Sequence, residues 1–305
     1  KHYDIRVLAG DDAYDYLSPH YDVTRVPLLR YHHGLNNRKS LWRTGVNNVP
    51  LVMDLAFRGR QSRRVENHIE HFSPDVIISD SEVMTLQVGK RLGVPRISFD
   101  HYGVMAYCDL EMNALDGFFC KCESLLYKTW IAGPDRAIAN AFYGGDLRRD
   151  DVTIVGPILR DAVVQTQPAQ GDYLLVYFSN AHLNFSHRVE VALRDCPVPI
   201  KVYGVKDRAG ATRGNITYCP IHPTQFLTDL AGAKAVFATA GNQMISEALY
   251  FGKPLLLLPE DSLEQRLNGK FIERWGIGRS VQPIQVNRSL VRNFLNNADT
   301  YAANA

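Results

Sequence analysis

Three features of this sequence predict an α/β fold of two Rossmann-like, doubly wound domains facing across a cleft. The chain has 305 residues, beyond the roughly 250 at which a single hydrophobic core stops growing. In both halves short β-rich runs alternate with segments of helical length, the pattern of parallel sheets covered by helices. The alternation breaks at VVQTQPAQGDY (Val163–Tyr173), where polar residues, a proline and a glycine interrupt it. Residues 1–162 are therefore expected to form an amino-terminal domain, 163–172 a linker, and 173–305 a second domain.

In the first half the strand-like runs are YDIRVLAG (Tyr3–Gly10), YDVTRVPLL (Tyr21–Leu29), DVIISD (Asp75–Asp80), VPRISFD (Val94–Asp100) and DRAIANAF (Asp135–Phe142). Helical length and spacing mark Pro50–Phe72, Glu82–Leu92 and Glu111–Trp130. The second half restarts with YLLVYFSN (Tyr173–Asn180), PIKVYGV (Pro199–Val205), NITYCP (Asn215–Pro220), AKAVFATA (Ala233–Ala240) and KPLLLLP (Lys253–Pro259). Helices are expected near Ser186–Arg194, Pro223–Gly232, Asn242–Phe251 and Ser262–Trp275, with right-handed crossovers winding a second sheet. A last helical run, Arg288–Asn297, could pack on either domain, the amino-terminal one included. The chain enters its first strand almost at once, as if the strand, loop and helix that open such a domain were missing.

Composition narrows the function. Hydrophobic residues at 46% and charged residues at 22% are globular values, and a net charge of +2 gives no electrostatic case for nucleic acid. Arg58, Arg60, Arg63 and Arg64 crowd one segment, either as a solvated surface or as a contact for phosphate or anionic lipid. Five cysteines include no C-x-x-C pair, which fits a reducing compartment and argues against a zinc site. No apolar run approaches the roughly 18 residues of a spanning helix. A cytoplasmic protein is expected, with peripheral membrane contact as a further reading and no cofactor or metal.

Ligands of open α/β sheets bind at the carboxyl ends of the strands, so the candidates are sought there. Three strand ends of the second half are rich in them: Ser179 and Asn180, then Thr239 to Gly241, then Glu260 to Asn268. Gly241 is read as a tight turn into the helix starting near Asn242, whose unpaired N–H groups and positive dipole end suit a phosphate. Glu247, further along that helix, could accept two ribose hydroxyls, or could be an ordinary helix glutamate. Gln265 and Asn268, three apart with Glu264 adjacent, could read sugar hydroxyls, though solvated helices carry the same pattern.

The combination carries a resemblance. SEALYFGKPLLLLP (Ser246–Pro259) followed by EQRLNGKFIERWGIG (Glu264–Gly278) resembles the carboxy-terminal half of GT-B glycosyltransferases, in the family 28 type that includes the lipid II-forming N-acetylglucosaminyltransferase. An uncharacterised bacterial and archaeal branch is more similar still, and the likeness runs over about Tyr173 to Gly278. It implies that Ser246–Glu247 is the pair whose glutamate binds the ribose of a UDP-sugar, and that Glu264, Gln265 and Asn268 contact the donor sugar. GPILRD (Gly156–Asp161) resembles the family turn that puts Arg160 near the diphosphate, where its fork suits two phosphate oxygens. FSNAHLN (Phe178–Asn184) corresponds to the phosphate loop but lacks its glycines, and Ala240–Gly241 stands where the family has two glycines. Ile221 matches the place where backbone groups meet the uracil.

A metal-independent, inverting transfer to an unknown acceptor is the expected reaction. It needs a base for the acceptor's proton and stabilisation of the departing UDP. The family's histidine-bearing glycine loop is absent, which leaves Asp80, Asp100 and His101 as candidate bases, with Asp80 alternatively a helix cap. His32, His33 and Arg43 lie in a loop that could contact an acceptor or simply be solvated, and His222 is expected to pack a turn. A UDP-N-acetylglucosamine 2-epimerase and a non-catalytic nucleotide-sugar-binding subunit remain as alternatives.

Overall fold

The computed structural model describes residues 3–30, 41–194 and 196–305. His32 and His33 lie outside the described residues. Two compact units result, Lys1–Gly156 and Pro157–Ala305. The division falls at Gly156 rather than at residue 162, and the expected linker belongs to the second unit. The reason is hydrogen bonding: Ala169 and Gly171 donate their N–H groups to Ala231 and Gly232, and the buried Lys253 donates its ammonium to the Ala169 carbonyl at 2.6 Å.

The first unit opens with β1 (Val7–Ala9), α1 (Asp11–Leu17) and β2 (Val23–Arg25), and the two strands pair in parallel. Next come α2 (Leu41–Ala56) and α3 (Arg60–Phe72), where the sequence suggested one helix from Pro50. The break has a local cause. Asp54 accepts from the N–H groups of Gln61 and Ser62 at the start of α3, Arg58 takes a left-handed φ of 52°, and a Cβ on Gly59 would lie 2.4 Å from Asp54 Oδ2.

β3 (Ile77–Ser79), α4 (Val83–Leu92), β4 (Arg96–Asp100), α5 (Tyr102–Tyr107), β5 (Cys108–Asp109), α6 (Ala114–Trp130), β6 (Arg136–Asn140), β7 (Asp146–Leu147) and β8 (Val152–Val155) complete the unit. A four-stranded parallel sheet runs β3-β4-β6-β8, beside the antiparallel pair β5-β7. Val65 and Ile69 of α3 and Met84, Leu86 and Val88 of α4 close its core against Ile77, Ala137 and Val152. β8 was not legible, because VTIV is a four-residue run beside the charged DLRRDD.

The second unit contains α7 (Asp161–Gln165), β9 (Leu174–Tyr177), α8 (Ala181–Asn184), α9 (His187–Leu193), β10 (Ile200–Tyr203), β11 (Thr212–Arg213), β12 (Ile216–Cys219), α10 (Pro223–Gly232), β13 (Ala235–Ala238), α11 (Asn242–Tyr250), β14 (Leu255–Leu257), α12 (Leu263–Arg274), β15 (Gly278–Ser280), α13 (Arg288–Asn296) and α14 (Ala298–Ala302). Its sheet runs β11-β12-β10-β9-β13-β14-β15, parallel apart from β11. Counting β9, β10, β12, β13, β14 and β15 as strands one to six gives the order 3-2-1-4-5-6 of a doubly wound sheet. Its switch point lies between β9 and β13, where a ligand crevice is expected.

Continuous apolar strands such as LLVY and AVFA fit a sheet buried on both faces. Val291, Phe294 and Leu295 of α13 pack into this core, so the last long helix belongs to the second unit. Among the described residues, no helix is long and apolar enough to cross a membrane.

Candidate functional site: three strand ends of the second unit

Ser179, at the end of β9, and Thr239, at the end of β13, stand side by side with their hydroxyl oxygens 3.5 Å apart. These two strand ends flank the switch point, and the end of β14 is tied to them by side chains. Glu260, just past β14, accepts from the amides of Asn180 and Asn184 at 2.9 Å each, the cap and the last residue of the short α8 that follows β9. Its other oxygen accepts from Gln265 of α12 at 3.2 Å. Glu260 opens the third candidate strand end, but its ties to Asn180 and Asn184 could not be read from the sequence, because only the fold brings the ends of β9 and β14 together.

α12 grips the backbone of one residue on both sides. Gln265 Oε1 accepts from the N–H of Ala240 at 3.2 Å and from that of Glu260 at 2.9 Å, while Asn268 Nδ2 donates to the Ala240 carbonyl at 2.8 Å. The expected one-faced spacing is real, but both amides serve buried backbone that must find partners. In this structure the two amides hold the Thr239–Gly241 loop. Glu264 accepts from Asn268 at 3.3 Å.

Gly241 is the N-cap of α11 with φ −71°, open to any residue, and a Cβ there would meet nothing within 4 Å. The expected glycine-dependent turn is therefore not found; what the glycine leaves is open space at the helix start, where no side-chain cap is present. Close approach is needed instead at Gly204, just past β10, whose φ is +93° and whose Cβ would lie 2.8 Å from the Phe178 carbonyl oxygen. A glycine of the next strand thus makes room for the glycine-free loop FSNAHLN. Asn242 begins α11, and Ser246, although buried, donates its hydroxyl to the Asn242 carbonyl at 2.7 Å and serves its own helix.

Glu247 is 3% exposed, which replaces the surface-glutamate reading. Arg160, the N-cap of α7, spans both of its oxygens, with Nε to Oε1 at 3.1 Å and Nη2 to Oε2 at 2.9 Å. Gln243, one turn earlier on α11, donates to Oε1 at 2.8 Å. Burial, with the Glu247 charge as a second cause, raises the pKa of Tyr177 at the end of β9. Ile221 is exposed at the turn between β12 and α10, and His222 is the exposed N-cap of α10.

In the first unit Asp80 and Asp100–His101 do lie at the carboxyl ends of the neighbouring strands β3 and β4. Asp100 is buried and fully engaged: Oδ2 accepts from Tyr127 at 2.6 Å and Ser98 at 2.7 Å, and Oδ1 from the Gly103 N–H at 2.9 Å. It holds α5 and α6 to β4 and is corrected from candidate base to structural carboxylate. Asp80 does not cap α4; Glu82 does, accepting from the N–H groups of Met84 and Thr85. Although Asp80 keeps contact with solvent, the protein around it and then the Asp100 charge push its pKa up, with His101 opposing. His101 Nδ1 lies 3.0 Å from the Asn140 carbonyl, which makes Nδ1 the donor. Arg43 lies exposed on α2.

Comparison with known proteins agrees with this architecture. The glycotransferase of kitacinnamycin has a TM-score of 0.67 at 16% identity, covering 98% of this chain and 85% of that one. LpCGTa, solved in complex with UDP, has a TM-score of 0.62 at 15% identity, with 98% and 85% covered. MurG of Acinetobacter baumannii has a TM-score of 0.58 at 11% identity, with 97% and 84% covered. At such identities the likeness establishes the shared GT-B fold alone. No curated protein matches the sequence. The family model described as glycosyl transferase family 1 matches residues 1–298, nearly the whole chain, so this glycosyltransferase belongs to glycosyl transferase family 1.

Proposed function

We propose that the second unit binds a nucleotide-sugar, a UDP-sugar in the first place, and that the enzyme transfers its glycosyl group to an acceptor with inversion and without a metal. The observation that carries this is a buried carboxylate, Glu247, on the helix that starts at the switch point, where Ser179, Thr239 and Gly241 meet. A carboxylate can accept from the 2′- and 3′-hydroxyls of a ribose, which favours UDP over a deoxyribose nucleotide. The start of α11 receives the diphosphate, Ile221 borders the base, and Asn180, Asn242 and the Glu264–Asn268 segment shape the donor-sugar pocket.

In the reaction the acceptor's nucleophile loses its proton to a base and forms a bond to the anomeric carbon. The bond from that carbon to the diphosphate oxygen breaks on the opposite face, and UDP leaves with the electron pair. Helix dipole, backbone N–H groups and Arg160 stabilise the charge on UDP. His101 and Asp80 are the remaining candidates for the base, and the raised pKa of Asp80 favours a proton acceptor working nearer neutral pH. Kinship with the lipid II-forming branch belongs to the same proposal and rests on the Ser246–Gly278 motifs.

Calorimetric titration of the folded protein with UDP, UDP-N-acetylglucosamine, UDP-glucose, dTDP and a purine diphosphate tests the donor assignment. Selective binding of the uridine ligands is expected, and failure of all of them to bind would refute it.

Peripheral contact with anionic lipid is a second reading, favoured by α2. Trp42, Val46, Val49 and Met53 recur at helical spacing on its exposed face, with exposed Phe57 just past its end, while Thr44 and Asn48 are buried. Arg60, Arg63 and Arg64 lie on the exposed face of α3, which packs beside α2. An apolar stripe beside a basic ridge suits an acidic bilayer surface. Co-flotation with phosphatidylserine vesicles but not with phosphatidylcholine vesicles is expected; no flotation with either would reject the reading.

A further inference from the structure

We propose that the Arg160–Glu247 ion pair is a latch that makes nucleoside binding conditional on a diphosphate, and so selects nucleoside diphosphates over free nucleosides. The proposal rests on the ribose reading of Glu247 given above. In the present structure the guanidinium occupies both oxygens that a ribose would use, at 3.1 and 2.9 Å, and Gln243 takes a further position on Oε1. The two partners differ sharply in exposure: the Glu247 side chain is 3% exposed and that of Arg160 is 55% exposed. The carboxylate is fixed in the core of the unit, and the arginine is the member free to swing.

Entry of a ribose must displace the guanidinium from at least one oxygen. A buried carboxylate is costly to leave unpaired, and neutral hydroxyl donors replace a charge-assisted fork only in part. A nucleoside alone therefore binds against the ion pair. A diphosphate changes the balance, because it offers the displaced fork two new oxygens of matching geometry.

The distance is short enough for the same side chain to serve both. Side chains of a helix lean toward its N-terminus, so the Glu247 carboxylate lies beside the turn that carries Gln243. That turn is the first of α11, Gln243 being its second residue, so the carboxylate already borders the open helix start that suits phosphate oxygens. Arg160 can thus exchange Glu247 for the diphosphate by a side-chain swing, with its backbone still capping α7. Arg160 is in this sense a specificity-determining residue, and the exchange also delivers a cation to the leaving group at the moment the donor is seated.

The experiment is calorimetric titration of the wild-type protein, Arg160→Ala and Arg160→Gln with uridine and with UDP, each variant checked for an unchanged melting temperature and circular dichroism spectrum. In both variants UDP should bind about tenfold or more weaker, the scale of a lost charged hydrogen-bond partner, while uridine binds as well as or better than to the wild type. The preference for UDP over uridine then collapses. Equal weakening of both ligands in the folded variants would overturn the latch and make Arg160 a mere support for Glu247. Absence of UDP binding to the wild type would instead overturn the donor site itself, and UDP binding indifferent to Glu247→Ala would overturn the ribose assignment.

Discussion

The strand ends of the two units use carboxylates in opposite ways. At β9, β13 and β14 the acids collect partners from far along the chain: Glu247 from Arg160, and Glu260 from Asn180 and Asn184. At β3 and β4 the work is divided, with Asp100 buried under Ser98, Tyr127 and the Gly103 N–H while Asp80 keeps solvent. The second unit thus ties its loops together at these strand ends, which on the proposed reading pre-shapes the donor site. The first spends one carboxylate on holding its helices and leaves its neighbour exposed, the carboxylate proposed above as a candidate base. Binding sites are stiffened by long-range ties, whereas a base needs access.

The sharpest way to break this contrast is Asp100→Ala. It strands the Tyr127 and Ser98 hydroxyls and the Gly103 N–H in the core, so a loss of about 2–4 kcal/mol is expected, with UDP binding retained. Chemical denaturation followed through the first unit measures it, and a fall in activity without a fall in stability would restore Asp100 as a reacting group. Glu247→Ala should cost UDP binding about 1–3 kcal/mol, read by calorimetry.

Gln265→Ala sharpens the comparison further. Because it frees the N–H groups of both Ala240 and Glu260, it should weaken UDP and UDP-sugars by the same factor, about 1 kcal/mol. A loss confined to the sugar nucleotides would mean that the amide touches the sugar after all.

The smallest effect belongs to Asp80→Asn. The folded pKa of Asp80 lies above its ordinary value of 3.8, so its contribution to stability is full below that value and is lost as pH rises through the folded pKa. The asparagine variant should therefore melt slightly higher at neutral pH, by under about 1 kcal/mol for a solvent-touching group, and the gain should vanish below about pH 4. Melting curves at both pH values decide it.

Much of the second unit was legible because its signals are local. Apolar runs such as LLLL and the order of strand, turn and helix gave β13, α11, β14 and α12 within a residue or two. The placement of Ser179, Thr239 and Glu247 about one crevice followed from rules for parallel sheets. What sequence could not give were the partners. Glu260 has no motif around it, and the fork from Arg160 to Glu247 joins residues that only folding makes neighbours. Gln265 and Asn268 were read on the correct face, but nothing in EQRLN distinguishes an amide that binds a sugar from one that binds a peptide group. In the first unit brevity was the obstacle: strands as short as Cys108–Asp109 and Asp146–Leu147 carry too few residues for a period to show.

The grip of α12 on Ala240 has a consequence for anyone recombining these enzymes. Both backbone groups of one residue, its N–H and its carbonyl, are claimed by side chains two dozen or so positions downstream. Grafting α12 from a relative with another donor preference would import foreign amide positions and set the Thr239–Gly241 loop adrift, spoiling nucleotide capture along with any gain in sugar choice. The natural unit of exchange is the continuous block from Thr239 through Asn268, transplanted whole.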